Sequence, residues 1–356
     1  EAAATRPWLV LGLGKTGQSV VDYLIAHNKQ VYAWADSADL EKLTAQFPNV
    51  NFVVGSFPDS WSDMLHAFNA AVVSPGLPPQ HKVVQHVARK IKLLSDIDLF
   101  LDAAAGKVLA VTGTNAKSTV VTLLQEIANC AGVKAVCGGN LGTPALDLLA
   151  AEADYYILEC SSFQLQYTQN WRADTAVFLN FSSDHLNHHT SLEEYFQAKQ
   201  KIYNNCNIAV VNAACPQLYN NVAEREIYFN TQTAQADSCT WLASANDKIL
   251  AYAKQQIIKL SQCPKWAHNY PENIAAAAAI AGLTRCVLPP LPCLPSKFLL
   301  DVEAHLSSGF NLSAFIAKHI EHPGSLHSNP EFTKILSNPS CSACSLTNPD
   351  PGTTIA

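Results

Sequence analysis

Cysteine is absent before Cys130, and the eleven that follow form an odd, scattered set ending at Cys344. That distribution excludes a disulfide framework and points to a reducing compartment. The one CxxC, Cys341 to Cys344, has no second pair and no flanking histidine, which argues against a zinc site. Long apolar runs are lacking as well: none reaches the roughly 18–20 residues of a membrane span. The apolar start, Trp8 to Leu13, lacks the length and cleavage pattern of a signal peptide. A basic excess is missing too, since the formal charge is −6 and no lysine-rich run occurs. A general nucleic-acid surface and a polybasic membrane anchor are thereby excluded. The expectation is a cytoplasmic protein with neither nucleic acid nor membrane as partner.

What is present is globular. Apolar residues make up 48% and charged residues 15% of 356 residues. At roughly 150 residues per domain this length suggests two or three domains. From Trp8 to about Leu101, short apolar runs (WLVLGLG, VYAWAD, AAVVSPG, IKLLSD) alternate with helix-length amphipathic stretches such as Ser19 to His27. This is the βα rhythm of a parallel sheet. From Lys107 to about Leu288 the rhythm repeats with KVLAVTG, VKAVCGG, DYYILEC, TAVFLNF and NIAVVNA as buried strands. The Ala-rich segment Asn273 to Leu283 reads as the helix closing this zone. After Leu288, Pro289, Pro290, Pro292 and Pro295 break any periodic element, and only Asn311 to His319 reads as a helix. The fold class is therefore α/β, a Rossmann-like domain (1–103) followed by a P-loop α/β domain (104–288). An irregular remnant or replaced third domain (289–356) completes the expected division.

Gly12, Gly14 and Gly17 form GxGxxG between a strand and a helix, and Asp36 ends the next strand. Such a turn lets backbone N–H groups approach a pyrophosphate, while the acid accepts from sugar hydroxyls or a base. The spacing specifies a nucleotide-like ligand without naming it, and close strand–helix packing is the alternative explanation for the glycines. Ser74 to Gly76 (SPG) ends another strand, where Gly76 either lines the same crevice or turns the chain.

Gly113-Thr114-Asn115-Ala116-Lys117-Ser118-Thr119 follows the strand Val108–Thr112 and precedes the apolar helix Val120–Ile127, which Gly132 ends. This is the setting of a loop that cradles nucleoside triphosphate: backbone N–H groups on the phosphates, Lys117 on the β and γ oxygens, the Ser118 hydroxyl on Mg²⁺. The strict GxxxxGK[ST] pattern fails at Val111 and at Ala116, a methyl being tolerated if that residue has negative φ. Glu159 ends the strand Tyr155–Leu158, and Asp184 and His185 follow the strand Thr175–Leu179, so all three should face the loop. Mg²⁺ takes few carboxylates, and Glu159 with Ser118 suffices for one ion. His188 and His189 read as solvated surface. Ser191 and Glu194 form a capping box opening the helix Leu192–Tyr203, on which Lys199 and Lys201 ride as ordinary surface lysines.

Read in order, TGTNAKST, GGNLGTPAL, LECSSFQL, DHLNHH and YFQAKQKIY resemble the Mur ligases from about Trp8 to Leu288. LGLGKTGQS and SPGL carry the resemblance to the branch that adds D-glutamate to UDP-N-acetylmuramoyl-L-alanine. It implies that Lys15, Thr16, Asp36 and Gly76 bind the uridine diphosphate portion, with Asn140 and His185 reaching the sugar and diphosphate. It further implies that Gly113 to Thr119 hold ATP and Mg²⁺, with Ser118, Glu159, His185 and Lys199 about the metal. Lys199 matches the lysine that the family carbamylates. Lys117, Glu159, His185 and Lys199 would form the catalytic set, with Asn269 and, more loosely, Asn273 at the adenine. A monomer acting in cytoplasmic peptidoglycan precursor synthesis is the implied setting. The family's third domain lacks its motifs here, so residues 289–356 are expected to be a fragment of it. Three other readings stay open: a catalytically impaired UDP-sugar or nucleotide-binding paralogue, another Mur-like amino-acid ligase, and an NAD-dependent oxidoreductase resting on GxGxxG alone.

Overall fold

The computed structural model describes residues 6–140, 142–184, 188–232, 238–244, 247–252, 255–259 and 271–283. The expected helix Asn311–His319, the proline-rich stretch after Leu288 and the Cys341–Cys344 pair lie outside these residues.

The first zone runs β1 (Trp8–Leu11), α1 (Lys15–Ala26), β2 (Val31–Ala35), α2 (Leu40–Gln46), β3 (Asn51–Val54), α3 (Asp59–Asp63), β4 (Ala71–Val73), α4 (Lys82–Ala88), β5 (Leu93–Leu94) and α5 (Asp96–Ala103). Its five strands are parallel in the order β3-β2-β1-β4-β5. The order reverses between β1 and β4, and crevices for ligands open at such a switch point. Alternate residues of β1 feed opposite faces: Val10 packs into one apolar cluster, Leu9 and Leu11 into another with Trp34 and Phe68. Burial on both faces is why these strands read as continuous apolar runs.

The second zone contains β6 (Lys107–Thr112), α6 (Lys117–Cys130), β7 (Ala135–Gly139), β8 (Tyr155–Glu159), α7 (Ser162–Tyr167), β9 (Ala173–Phe178), α8 (Leu192–Gln200), β10 (Cys206–Asn212), β11 (Arg225–Phe229), β12 (Ser238–Ser244), β13 (Asp247–Tyr252), β14 (Gln255–Lys259) and α9 (Pro271–Leu283). The strands form one sheet, β14-β13-β12-β11-β10-β9-β6-β8-β7, parallel except for the antiparallel β12-β13-β14 end. β6 sits between β8 and β9, so the loop after β6 is flanked by the ends of both. α9 buries Ala275 through Ala281 and packs against α6 and the β11–β12 part of the sheet. A helix apolar on every side belongs inside, and its methyl side chains permit close approach.

Polar groups stitch the two zones together through α5 and α1. The Ser95 side chain caps α5 and meets the Thr168 hydroxyl at 2.8 Å. Asp98 accepts from the backbone N–H of Gln169 at 2.9 Å and Asn170 at 2.8 Å. Gln164 Nε2 donates to Asp96 at 3.1 Å, and Ser19 Oγ donates to Asp147 at 2.5 Å.

Several local expectations shift. α1 begins at Lys15 rather than Ser19, and α6 spans Lys117–Cys130 because the loop residues themselves enter the first turn. α8 ends at Gln200, with a tighter 3-10 turn over Lys201–Tyr203. Only half of the expected capping box forms: Ser191 Oγ accepts from the Glu194 N–H at 3.1 Å, while the Glu194 carboxylate takes the Thr190 N–H at 2.7 Å.

Candidate functional site

The first crevice collects Gly12 at the end of β1, Asp36 at the end of β2 and Ser74 to Gly76 at the end of β4. A Cβ at Gly12, where φ is +89°, would lie 2.7 Å from Ser74 Cβ, and one at Gly17 would lie 1.9 Å from the Gly12 carbonyl oxygen. Those two glycines permit close packing of β1, α1 and β4. Gly14 is different, with nothing within 4 Å of its added Cβ. Only the middle glycine of the motif faces open space, at the N-terminus of α1 beside the exposed Lys15.

The second site is built on the loop between β6 and α6. Ala116 starts α6 with φ +68°, in the left-handed region, and its carbonyl accepts from Val120 at 3.0 Å. The condition of negative φ is thus not met: the loop geometry imposes the glycine-like turn, and the chain carries the methyl in spite of it. The loop is zipped to the end of β9. Asn180 Oδ1 accepts from Asn115 N at 2.9 Å, Asn180 Nδ2 donates to Asn115 O at 3.2 Å, and Thr114 N donates to Asn180 O at 3.0 Å.

Five predicted residues converge on this loop. Lys117 Nζ folds back onto the carbonyl oxygens of Gly113 and Thr114, both at 3.0 Å. Lys199 Nζ reaches the same Gly113 oxygen at 2.8 Å and lies 4.9 Å from the centre of the Tyr195 ring. Ser118 Oγ donates to Glu159 Oε2 at 2.7 Å, and Asn140 Nδ2 donates to Glu159 Oε1 at 2.9 Å. Glu159 is 4% exposed and Lys199 2%. The surface reading of Lys199 is corrected accordingly: α8 lies with this side of its last turn against the loop. Burial, and next the Lys117 charge, push the Lys199 ammonium down to about 7, against the pull of Asp184 and Glu159. Burial lowers Lys117 as well, opposed by Glu159 and Asp184.

A cleft of about 480 Å³ opens beside the loop, lined among others by Asn115, Ala116, Thr119, Asn180, Asn230 and Asn273. The larger depression, about 1000 Å³, lies at the opposite end of the sheet, where β6 and β8 begin. Adjacency to the loop after β6, through Asn115, Ala116 and Thr119, ties the smaller cleft to the candidate site.

Comparisons with known proteins bear on the family to which these two zones belong. Residues 6–94 match the Mur ligase MurD-like N-terminal domain, and residues 111–281 match the Mur ligase middle domain. A UDP-N-acetylmuramoylalanine–D-glutamate ligase of Mannheimia succiniciproducens is 35% identical, covering 84% of this chain and 69% of that protein. The chain belongs to the Mur ligase family. The Marinobacter nauticus ligase of the same description is 36% identical over 82% of this chain and 66% of its own length. The chain thus spans roughly three-fifths to two-thirds of the relatives it matches, 62% for that of Alcanivorax borkumensis. The crystal structure of UDP-N-acetylmuramate:L-alanyl-gamma-D-glutamyl-meso-diaminopimelate ligase from Neisseria meningitides shares the fold. Its TM-score is 0.53 at 15% identity, over 83% of this chain and 98% of that one.

Within this Mur ligase chain, Lys117, Ser118, Glu159, Asn140 and Lys199 meet at one loop, and Asn273 lines the adjoining cleft. Lys15, Asp36 and Gly76 belong to the other crevice. His185 and Asn269 lie outside the described residues. His188 and His189 are not surface residues: His188 stacks on Phe163 with ring centres 3.8 Å apart, and His189 Nε2 meets Ser162 Oγ at 2.9 Å. The aromatic ring of α7 and the Ser162 hydroxyl give both imidazoles an interior place. Sequence reasoning missed Asn180, Asn212 and Asn230, which follow or end β9, β10 and β11. Asn212 Nδ2 donates to Leu179 O at 2.8 Å and Asn230 Nδ2 to Asn212 Oδ1 at 3.3 Å. The signal available was an asparagine at the C-terminal edge of each parallel strand, where ligands gather.

Proposed function

We propose that this chain carries the UDP-sugar-binding (1–103) and ATP-binding (104–288) parts of an ATP-dependent carboxylate–amine ligase. Its reaction adds D-glutamate to UDP-N-acetylmuramoyl-L-alanine in cytoplasmic peptidoglycan precursor synthesis. The observation that carries the reading is the meeting of Lys117, Lys199, Ser118 and Glu159 at the loop after β6, in a chain about 36% identical to relatives of that description.

A carboxylate is a poor electrophile. Its oxygen attacks the γ-phosphorus of ATP, ADP leaves, and the resulting acyl phosphate is open to the D-glutamate amine, which expels inorganic phosphate. The loop's backbone N–H groups hold the triphosphate and Lys117 places a cation against its oxygens. The donor set fits Mg²⁺: a buried carboxylate and a hydroxyl 2.7 Å apart are hard oxygen ligands beside the phosphate loop. Ser118, Glu159 and a carbamylated Lys199 would hold it, with His185, and it would offset charge on the transferring oxygens. Lys199 is suited to carbamylation because a buried amine with a depressed proton affinity is partly neutral near pH 7 and hence nucleophilic. Lys15, Thr16, Asp36 and Gly76 take the uridine diphosphate, Asn140 the sugar side, and Asn273 with Asn269 the adenine. Catalysis rests on positioning and electrostatics.

The test is an assay of ADP release and amide formation with UDP-N-acetylmuramoyl-L-alanine, ATP, Mg²⁺ and D-glutamate. The expected result is activity requiring both acceptor substrates and lost in Lys117→Ala. Equal background in parent and variant overturns the ligase reading and leaves a binding protein.

A further inference from the structure

His81 lies between β4 and α4 and faces Asp36 across the first crevice. Its Nε2 is 3.1 Å from Asp36 Oδ2, and its Nδ1 accepts the N–H of Val83, at the start of α4, at 3.3 Å. A ring nitrogen that accepts carries no proton, so the neutral imidazole holds its proton on Nε2, the atom facing the carboxylate. The ring is steadied from a third side by Trp34, tilted at 45° with centres 5.5 Å apart. Trp34 is itself 1% exposed and anchored by Nε1 donating to Gly55 O at 2.8 Å. Two fixed contacts, to Val83 and Trp34, thus aim one N–H at Asp36. The His81 side chain is 25% exposed and that of Asp36 59%, so the carboxylate is held on one side and stays open on the other.

We propose that His81 is the positioning residue of the uridine crevice, donating from Nε2 to Asp36 so that the carboxylate meets a donor group of the uridine nucleotide in one orientation. The proposal rests on the reading of this crevice as the UDP site and adds to it a residue outside the glycine turn. His81 acts through Asp36: a freely rotating carboxylate would have to be ordered on binding, whereas a tethered one is ordered beforehand.

Two substitutions separate the two nitrogens. His81→Asn keeps an acceptor near the Nδ1 position, preserving the start of α4, and removes the donor. His81→Gln offers a side-chain N–H near the Nε2 position. Binding of UDP to the full chain is measured by titration calorimetry for the parent, both variants, Asp36→Asn and the His81→Asn/Asp36→Asn pair. The expected result is UDP affinity about tenfold weaker in His81→Asn with an unchanged melting temperature, and recovery to within about twofold in His81→Gln. In the Asp36→Asn background, His81→Asn should cost nothing further. Undiminished UDP affinity in His81→Asn, or an equal loss with and without the Asp36 carboxylate, overturns the proposal alone. Failure of the parent to bind UDP, or unchanged affinity in Asp36→Asn, overturns the reading of the crevice and the proposal with it.

Discussion

Lys117 and Lys199 donate to one carbonyl oxygen, that of Gly113, at 3.0 and 2.8 Å. Two ammonium groups on one acceptor repel each other; burial lowers the proton affinity of both, and the Lys117 charge lowers that of Lys199 further. An anion at the loop would offset that repulsion, so the paired ammonium groups favour a phosphate there.

A pH dependence of stability follows. Lys199 holds its proton to about 7 when folded and to about 10.5 when unfolded, so the unfolded chain binds more protons between those values. Stability should therefore rise with pH across that window. In Lys199→Met this part of the rise disappears. Urea unfolding of parent and variant at pH 7, 8 and 9 checks it; parallel curves would refute the assignment.

Asp96 has the opposite sign. Burial raises its carboxyl from 3.8 to about 6, only partly offset by the Gln164 amide. The folded state then binds the extra proton, so this contribution to stability is greatest below pH 4 and is lost as pH rises through 6. Asp96→Asn should exceed the parent by up to about 3 kcal/mol at pH 7, with the difference shrinking toward pH 4. Thermal melts across this range measure the convergence.

Ala116 occupies a left-handed conformation at φ +68°. Ala116→Gly should stabilise the chain by about 1 kcal/mol, seen as a higher urea midpoint at unchanged slope. A lower midpoint would show that the unfolded-state freedom of glycine outweighs the strain.

The glycine turn separates packing from access. Gly17→Ala would put a methyl 1.9 Å from the Gly12 carbonyl oxygen and should cost about 3 kcal/mol or more. Gly14→Ala meets nothing within 4 Å and should leave stability within about 0.5 kcal/mol while weakening UDP binding severalfold. Paired unfolding and UDP titrations distinguish the two; equal destabilisation by both would refute this division of roles.

Parallel strands buried on both faces advertise themselves as apolar runs, so the sheets of both zones were readable from WLVLGLG, KVLAVTG and DYYILEC. Glu159 was readable for the same reason, because a strand's end in a parallel sheet faces the ligand edge. Lys199 was not. Helix α8 alone has the composition of a surface helix, and nothing local tells that its last turn lies against Gly113. His188 and His189 were misread similarly, since their cover comes from Phe163 and Ser162 on another helix.

The sequence by itself determined the α/β class, the two strand-to-helix turns at Gly12 to Gly17 and Gly113 to Thr119, and the residue types at their edges. These depend on local periodicity, turn chemistry and strand ends, all encoded within a few neighbours. Tertiary structure alone decided that Lys117 and Lys199 share one oxygen, that Ala116 is left-handed, and that His81 meets Asp36. Each of these depends on which elements the sheet order brings side by side, and the burial and charge repulsion created by that contact exist in no segment taken alone.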